Sequence, residues 1–413
     1  MKTPQQHVFE DVSTISRRNT RPKTSPNNLE NSLSIPVDLI VEILSRLSAK
    51  SIARCRCVSK LWTSILRRPD FTELFLTRSL ARPQLFFAYE TNGEFFFSSS
   101  PQPQSLDVNS SPVSINHLKR LPFYGPCKIL GLVQGLVGLI DRRFLKGRTR
   151  TVPVICNPST GESLSLSTMK TRRCNVISFF GYDPIEKQYK ILSMSRPRYE
   201  IQEQRYELQD QQKQQVCEEH QVLTLSTGKM SWRMIECCIP HNPREDQTGI
   251  CINGGLYYQA FVGGFSKIIC FDVRSEKINL IKKDKGMELW RPDFYTLVNY
   301  KGKLGALTVV SDKWLELWVL VDAGKQEWLK LIFVMPTLWK TEVAKGHLYS
   351  IGVTGTNELV LSSSCISSPF YIFYYNFEKE TIRRVEMDEY GKCRVFISLD
   401  YVEDVKPIQM FRT

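Results

Sequence analysis

A repeat in the second half of the chain restricts the possible folds more than any other feature of the sequence. The segments STGKMSW (226–232) and DAGKQEW (322–328) share Gly-Lys-x-x-Trp at the same spacing. Their glycines, Gly228 and Gly324, lie 96 residues apart, which is two steps of 48. RSEKI (274–278) lies near the midpoint. Three lysines follow one another at intervals of 48 residues: Lys229, Lys277 and Lys325.

The segments before these lysines repeat at the same step, since GGL (254–256) and GKL (302–304) are also 48 residues apart. Each unit contains apolar strands, a turn with Gly or charged residues, and another apolar strand. A period near 50 residues is typical of β-propeller blades. Turn sequences at NPSTGE (157–162), YDPIEKQY (182–189) and NFEKET (376–381) fit blades with unequal insertions. The alternative is an antiparallel sandwich in which the spacing is coincidental.

Residues 36–80 have a helical pattern instead. Pro36 suits a first helical turn, and Asp38 favours the positive end of the helix dipole. Ser48 is placed to cap a second helix, and Pro69 limits the run that follows. Apolar side chains recur every three or four residues through the segment: Leu39, Ile40, Ile43, Leu44, Leu47, Ile52, Cys55, Val58, Trp62, Ile65 and Leu66.

This helical domain, predicted over residues 34–82, is smaller than a hydrophobic core that is usually stable by itself. Either the next domain or another protein must therefore cover its apolar stripe. The pattern of residues does not decide between these two possibilities.

The remaining chain completes an α+β multidomain prediction. Residues 1–33 are polar and are predicted to be a disordered tail. Residues 83–405 are predicted to be all-β and propeller-like, with about six short blades. A Gln-rich insert at about 200–216 is either a mobile loop or a solvent-facing helix.

The net charge of +13 raises the possibility of an acidic partner. Residues 35–83 carry nine Lys and Arg against four acids, and DRRFLKGRTR (141–150) forms a second basic cluster. Such clusters bind phosphates or acidic proteins, although many are simply solvated surface. A basic nucleic-acid-binding protein is therefore an alternative, but we do not expect nucleic acid to be the main partner.

Twelve cysteines raise the question of disulfides or metal. The chain has no CxxC pair, and Cys55-x-Cys57 and Cys237-Cys238 are too close for ordinary structural zinc. CEEH (217–220) has zinc-like spacing but lacks an evident second pair. We therefore expect reduced cysteines, as in intracellular proteins, with no metal and no cofactor.

Membrane insertion and secretion are not expected. The N-terminus, MKTPQQHVFEDV, lacks the apolar core of a signal peptide, and ILGLVQGLVGLI (129–140) is too short to span a bilayer. The expected location is the cytoplasm, the nucleus or both, and RRNTRPK (17–23) has the composition of a weak nuclear signal.

The segment IPVDLIVEILSRLSAKSIARCRCVSKLWTSILRRPDF (35–71) resembles an F-box. Ile35 stands where the family usually has Leu, and Ser48 stands where it usually has Pro. The residues that match the family pattern in order are Pro36, Asp38, Leu39, Glu42, Ile43, Leu44, Arg46, Leu47, Lys50, Ser51, Arg54, Val58, Ser59, Lys60, Trp62, Pro69 and Phe71.

The downstream region resembles the kelch-like F-box-associated domain of the large plant F-box family. Val133-Gln134 replaces the common Cys-Asn of that family. The matching segments are Gly135-Leu136, CNPSTGE (156–162), GYDP (181–184) with Tyr189-Lys190, and NGGLYY (253–258).

The resemblance implies a non-catalytic substrate receptor of an SCF-type ubiquitin ligase. In the family, the F-box docks on a Skp-type adaptor that joins it to cullin and RING subunits, and the associated domain holds a protein substrate for ubiquitination. The missing cover of the apolar stripe would then be the adaptor. The side chains implied in adaptor binding are Ile35, Pro36, Leu39, Ile40, Ile43, Leu44, Leu47, Val58 and Trp62.

An enzyme on a propeller scaffold is the remaining alternative. The glycines of GLVQGLVG (131–138) lack the spacing and the Lys of a phosphate-binding loop. Most tryptophans of the strand-rich region are predicted to pack between strands. The following histidines have no recognisable nucleophile or acid partner in the sequence: His117, His220, His241 and His347.

Overall fold

The structure is a computed structural model of the full chain. It describes residues 35–91, 94–102, 116–122, 127–145, 148–197, 216–226, 228–245, 247–288, 295–310, 314–335, 348–363, 370–387 and 395–411. The predicted tail and all of the predicted Gln-rich insert except Val216 lie outside these residues. The chain divides into two compact units, residues 1–43 and 44–413.

In the described part of the chain, four helices precede the strands: α1 (Val37–Leu44), α2 (Ala49–Cys55), α3 (Lys60–Leu66) and α4 (Pro69–Leu80). Serine hydroxyls cap two of them, because Ser48 Oγ accepts from Ser51 N at 3.3 Å and Ser59 Oγ accepts from Trp62 N at 3.1 Å. The predicted cap at Ser48 is thus confirmed. Pro69 begins α4, where its missing N–H costs no helical hydrogen bond.

The strands form six antiparallel sheets, the blades of a propeller, which confirms the predicted fold class. Blade one contains β1 (Gln84–Thr91), β2 (Glu94–Pro101) and β3 (Asn116–Pro122). Blade two contains β4 (Cys127–Val133), β5 (Leu136–Leu145), β6 (Arg148–Asn157) and β7 (Glu162–Ser165). Blade three contains β8 (Cys174–Asp183), β9 (Gln188–Arg196), β10 (Glu219–Thr224) and β11 (Arg233–Met234). Blade four contains β12 (Asn242–Pro243), β13 (Ile250–Ile252), β14 (Gly255–Val262), β15 (Phe265–Asp272) and β16 (Ile278–Ile281). Blade five contains β17 (Tyr295–Tyr300), β18 (Lys303–Val309), β19 (Trp314–Asp322) and β20 (Glu327–Val334). Blade six contains β21 (Leu348–Val353), β22 (Glu358–Ser363), β23 (Phe370–Asn376) and β24 (Thr381–Met387). Short helices lie at Lys285–Glu288 (α5) and, as a 3₁₀ turn, at Ile408–Phe411.

Strand β25 (Val395–Tyr401) closes the ring. It pairs antiparallel with β1, with Phe87 opposite Ile397 and Ala88 opposite Phe396. Inner strands of neighbouring blades contact one another, as β4 does β8, β13 does β8 and β17, and β17 does β21, and β25 contacts β21 in the same way. The C-terminal strand therefore supplies the inner strand of blade one.

Each of six apolar cores lies between two neighbouring blades. Successive side chains of a strand point to opposite faces of its sheet. Phe86 therefore packs in the core shared with blade two, whereas Phe87 packs in the core shared with blade six. Phe179 and Phe180 divide in the same way between blades four and two. Burial on both faces explains why these strands are continuously apolar.

A recurring turn connects the strands. In five turns, an Asn or Asp side chain accepts the N–H of a residue two or three positions later, and the residue four positions later has a positive φ. The acceptors are Asn157, Asp183, Asp272, Asp322 and Asn376. Three of the turns are those predicted at NPSTGE, YDPIEKQY and NFEKET.

The 48-residue step is kept by only part of the blade. Gly254 and Gly302, 48 residues apart, occupy the same turn between the first two paired strands, each with a positive φ. Asp272 and Asp322 open equivalent later turns but are 50 residues apart, because blade five is two residues longer between its second and third strands. Lys277 and Lys325 therefore lie in equivalent turns at different positions.

The tryptophans of the Gly-Lys-x-x-Trp segments pack between blades, as predicted. Trp232 donates its indole N–H to the Ser167 carbonyl at 2.8 Å, and Trp328 donates to the Lys282 carbonyl at 2.8 Å. Each acceptor follows the last strand of the preceding blade. Trp290 and Trp339 lie outside the described residues.

After β25 the chain returns along blade two, where Asn157 holds it. Asn157 Nδ2 donates to the carbonyls of Asp404 (2.8 Å) and Lys406 (3.1 Å). Glu162 accepts from Ile408 N at 2.6 Å, and Ser159 Oγ lies 2.6 Å from the Tyr401 hydroxyl. The NPSTGE turn thus binds the segment 402–411, which we call the C-terminal return.

Replacing Asn157 by Asp separates the two roles of this side chain. The carboxylate keeps an acceptor for the turn but loses both donated bonds and places a charge against buried carbonyls. We expect Asn157→Asp to destabilise the protein by about 2–4 kcal/mol and to lower the thermal melting temperature accordingly. Asn376→Asp is the matched control, because Asn376 opens an equivalent turn and its change should cost less than about 1 kcal/mol. Equal shifts in the two variants would contradict a special role for Asn157.

Candidate docking surface

Helix α1 divides its apolar residues into two rows. Residues four positions apart lie on one helix face, so Leu39 and Ile43 form one row and Ile40 and Leu44 form another. Each member of the first row is 53% exposed. Ile35 lies two residues before the start of the helix and is also 53% exposed. Ile40 is 7% and Leu44 only 2% exposed. The first row is therefore available to a partner, whereas the second is already buried.

Helices α2 and α3 and the residues between them present further apolar side chains. Val58 is 64% and Leu61 54% exposed, whereas Leu47 and Trp62 are half-buried. Pro36 is exposed. Ile40 and Leu44 are the most buried of the nine residues implied in adaptor binding, so they offer a partner the least surface. Leu61 was missed by the sequence reasoning, although it lies three residues after Val58.

The C-terminal return holds α2. Glu403 Oε2 accepts from Ala49 N at 3.2 Å, at the start of the helix. At its other end, Arg56 donates from Nη2 to the Val405 carbonyl at 2.6 Å. Burial lowers the pKa of Arg56 and raises the pKa of Glu403. These partners, more than 300 residues away in sequence, orient the helix that precedes the exposed Val58.

Within the second unit, α4 is also tied to its surroundings. Arg78 Nη1 donates to Ser45 Oγ at 2.6 Å, and Phe71 and Phe75 are fully buried with their ring centroids 6.3 Å apart. Lys187, in a propeller turn, forms an ion pair with Glu73 of α4 at 2.7 Å. That pair is exposed, so the buried rings contribute more to the position of α4 than the ion pair does.

The basic cluster at 141–150 is only partly free for an acidic partner. Arg143 Nε donates to Asp141 Oδ2 at 2.5 Å, and its Nη2 donates to Ser165 Oγ at 3.0 Å. Asp141 is buried, so Arg143 compensates a buried carboxylate. Arg150 is exposed, and Lys146 and Gly147 lie outside the described residues.

A cluster of possible metal ligands lies between blades three and four, where the sequence predicted none. His220, Cys237 and His241 each offer one donor atom, and these atoms lie within 4.8 Å of one another. Burial, with the neighbouring His241, lowers the pKa of His220 to about 4, and burial also lowers the pKa of His241. Of the CEEH segment (217–220), only His220 belongs to this group, and Cys237 and His241 lie further along the chain, separated from each other by three residues.

Among the described residues, no helix has both the length and the apolar character needed to cross a membrane.

Comparison with known proteins identifies both parts of the chain. A family model described as "F-box domain" matches residues 32–74, and one described as "F-box associated beta propeller domain" matches residues 84–406. F-box protein DOR of Arabidopsis thaliana is 47% identical over 393 residues, which are 92% of this chain and 95% of that protein. Two further Arabidopsis thaliana proteins, putative F-box protein At3g23960 and F-box protein At5g65850, are 47% and 44% identical and each covers 98% of this chain; the alignments span 100% and 98% of those proteins.

The buried carboxyl of Asp404 generates a pH prediction. Burial raises its pKa from 3.8 to about 6, so its contribution to stability is present below pH 4 and is lost as the pH rises through 6. At pH 7 the ionised group costs on the order of 2–3 kcal/mol. We expect Asp404→Asn, which retains an acceptor for Lys406 N, to raise the melting temperature at pH 7 and to change it little at pH 4.

Asp70→Asn is the control for this effect. The Asp70 carboxylate is exposed, and its hydrogen bond from Arg68 lowers its pKa. Its replacement should therefore not stabilise the protein at pH 7. An Asp404→Asn variant that is equally destabilised at both pH values would show that the carboxylate is needed where it lies.

Proposed function

This chain belongs to the F-box proteins that carry an F-box-associated β-propeller domain, and from that membership we propose that it is the substrate-recognition subunit of an SCF-type ubiquitin ligase. The F-box docks on a Skp-type adaptor, which connects it to cullin and RING subunits. The propeller binds a protein substrate. The protein acts in the cytoplasm, the nucleus or both.

The observation that carries this proposal is the exposed row of α1. Leu39 and Ile43 are exposed one turn apart on the helix, and Ile35 is exposed just before it, in a segment that matches the F-box family model. Complete burial of a Leu or Ile side chain contributes about 1.5–3 kcal/mol. Since each of these side chains is 53% exposed, a docking partner that covers them would gain roughly half of that contribution from each. A few anchors of this kind usually dominate an interface.

The mechanism is positional. The receptor holds a substrate lysine near the charged ubiquitin-conjugating enzyme and so raises the effective concentration of one group near the other. No covalent step is assigned to a residue of this chain. What the chain contributes is a fixed relation between the propeller and helix α2, through the partly buried contacts of the C-terminal return.

The double variant Leu39→Asp/Ile43→Asp tests adaptor docking. Two charges on the exposed row should weaken binding to a purified Skp-type adaptor by about 3 kcal/mol or more, at least a hundredfold, with little change in melting temperature. Calorimetry or surface plasmon resonance measures the affinity. Phe265→Asp is the control, because Phe265 is also highly exposed but lies on blade four, and it should bind the adaptor normally. Normal binding by the double variant would remove the proposal.

The same double variant separates the two halves of the function. Captured from cells under proteasome inhibition, it should retain substrates while losing the adaptor and cullin, whereas the unmodified chain should capture all of them. Mass spectrometry of the two captures identifies the proteins that depend only on the propeller. Joint loss of every captured protein would contradict separate docking and substrate surfaces.

A further inference from the structure

The cluster of His220, Cys237 and His241 joins two segments at the seam of blades three and four. His220 lies on β10, and the other two lie on the connection from β11 to β12. The backbone places both segments close together, because His220 accepts from Ile235 N at 2.9 Å through its carbonyl. Three side chains with donor atoms within 4.8 Å therefore converge from two elements.

His220 has a buried nitrogen without a partner. The residue is 4% exposed, and its Nε2 is buried with no hydrogen bond. Leaving a polar atom unpaired in the interior costs about 1–3 kcal/mol. A ligand that accepts the lone pair of this imidazole would remove that cost.

Cys237 and His241 already have the separation of two metal ligands. Cys237 Sγ lies 3.8 Å from His241 Nδ1. Zinc–sulfur and zinc–nitrogen bonds of about 2.3 and 2.0 Å at a tetrahedral angle place the two donor atoms about 3.5 Å apart. This distance needs to shorten by only a few tenths of an ångström for both atoms to bind one ion, and the Ile239 carbonyl, which accepts from Cys237 Sγ at 3.3 Å, must turn away.

Tyr258 can fix the tautomer that a metal requires. His241 Nε2 lies 3.0 Å from the buried Tyr258 hydroxyl, and that hydroxyl lies 3.9 Å from Met194 Sδ. With Nε2–H donating to the Tyr258 oxygen and the hydroxyl directed to the sulfur, the Nδ1 lone pair is free to ligate. In the other tautomer, Nδ1–H donates to the Ile239 carbonyl 2.8 Å away. The His241 ring thus has one tautomer suited to binding a metal and another suited to the metal-free protein.

We propose that His220, Cys237 and His241 bind one zinc ion, with the fourth position open to water. A thiolate with two neutral imidazoles is a donor set that zinc uses, in sites with three protein ligands and one water. The side chain of Cys237 is only partly buried, which leaves an approach for the ion and the water. By binding His220 on β10 together with Cys237 and His241, the ion links the 235–241 connection to that strand and so stabilises the packing of blade three against blade four.

Cys217 is outside the site although the sequence places it near His220. It is buried, and its backbone N–H donates to the His241 carbonyl at 2.9 Å. Cys238 is exposed and also lies outside the ligand group. Cys238→Ser is therefore a matched control for Cys237→Ser, with the same chemical change one residue away.

The experiment uses the full chain without a histidine tag, loaded with zinc and dialysed. We expect about one zinc per chain in the unmodified protein and in Cys238→Ser, and at least tenfold weaker binding in Cys237→Ser. Zinc should raise the melting temperature of the first two proteins and not of the third. Cobalt(II) should give them the intense visible bands of a tetrahedral ion and a thiolate charge-transfer band.

Equal zinc retention by the two serine variants would overturn the site. If Cys237→Ser does not fold, the cobalt spectra of the unmodified chain and Cys238→Ser decide, and spectra without a thiolate band reject the proposal. Binding of copper(I) without measurable binding of zinc would overturn the choice of metal.

Discussion

The pairing of β25 with β1 is the contact on which the rest of the second unit depends. Without β25, this sheet would expose apolar side chains of β1, and the two cores beside it would lose the side chains that β25 contributes. Closure also determines where the chain goes next, because Tyr401 ends the strand and meets the Ser159 hydroxyl. The C-terminal return then lies along blade two, within reach of both Asn157 and helix α2.

This arrangement links helix α2 to the ring through polar contacts that are buried or partly buried. Asn157 satisfies two carbonyls of the return, and the return offers Glu403 and the Val405 carbonyl to the two ends of α2. These are contacts of residues that are far apart in sequence but adjacent once the ring closes. Hydrogen bonds that are shielded from water hold a geometry better than exposed ion pairs do.

The sharing of cores between blades has a similar consequence. Among the described residues, each of the six cores is shared by two blades, so a change at a core position affects two blades. The His220, Cys237 and His241 cluster lies at one such seam, at a connection that is joined to β10 by few strand contacts, since β11 has only two residues. A metal ion is one way to strengthen a seam where the outer strand is short.

Much of the fold could be predicted from local patterns. The 48-residue step, the turn residues and the continuous apolar strands are all properties of neighbouring residues, and together they predict blades. The step failed at the later turn of blade five, where two additional residues shift Asp322 and Lys325 relative to Asp272 and Lys277. Helical spacing likewise predicted the stripe of α1 but not which half of it is buried.

The sequence by itself therefore determined the succession of helices and blades, the caps and turns, and the apolar residues available for a core or a partner. Only the tertiary structure decided that Leu39 and Ile43 remain exposed while Leu44 is buried, that Asn157 holds the C-terminal return, and that His220 meets Cys237 and His241. The physical reason is that periodicity reports which face of an element a residue occupies. What lies against that face is set by ring closure, which brings together residues such as Asn157 and Lys406 that are 249 positions apart.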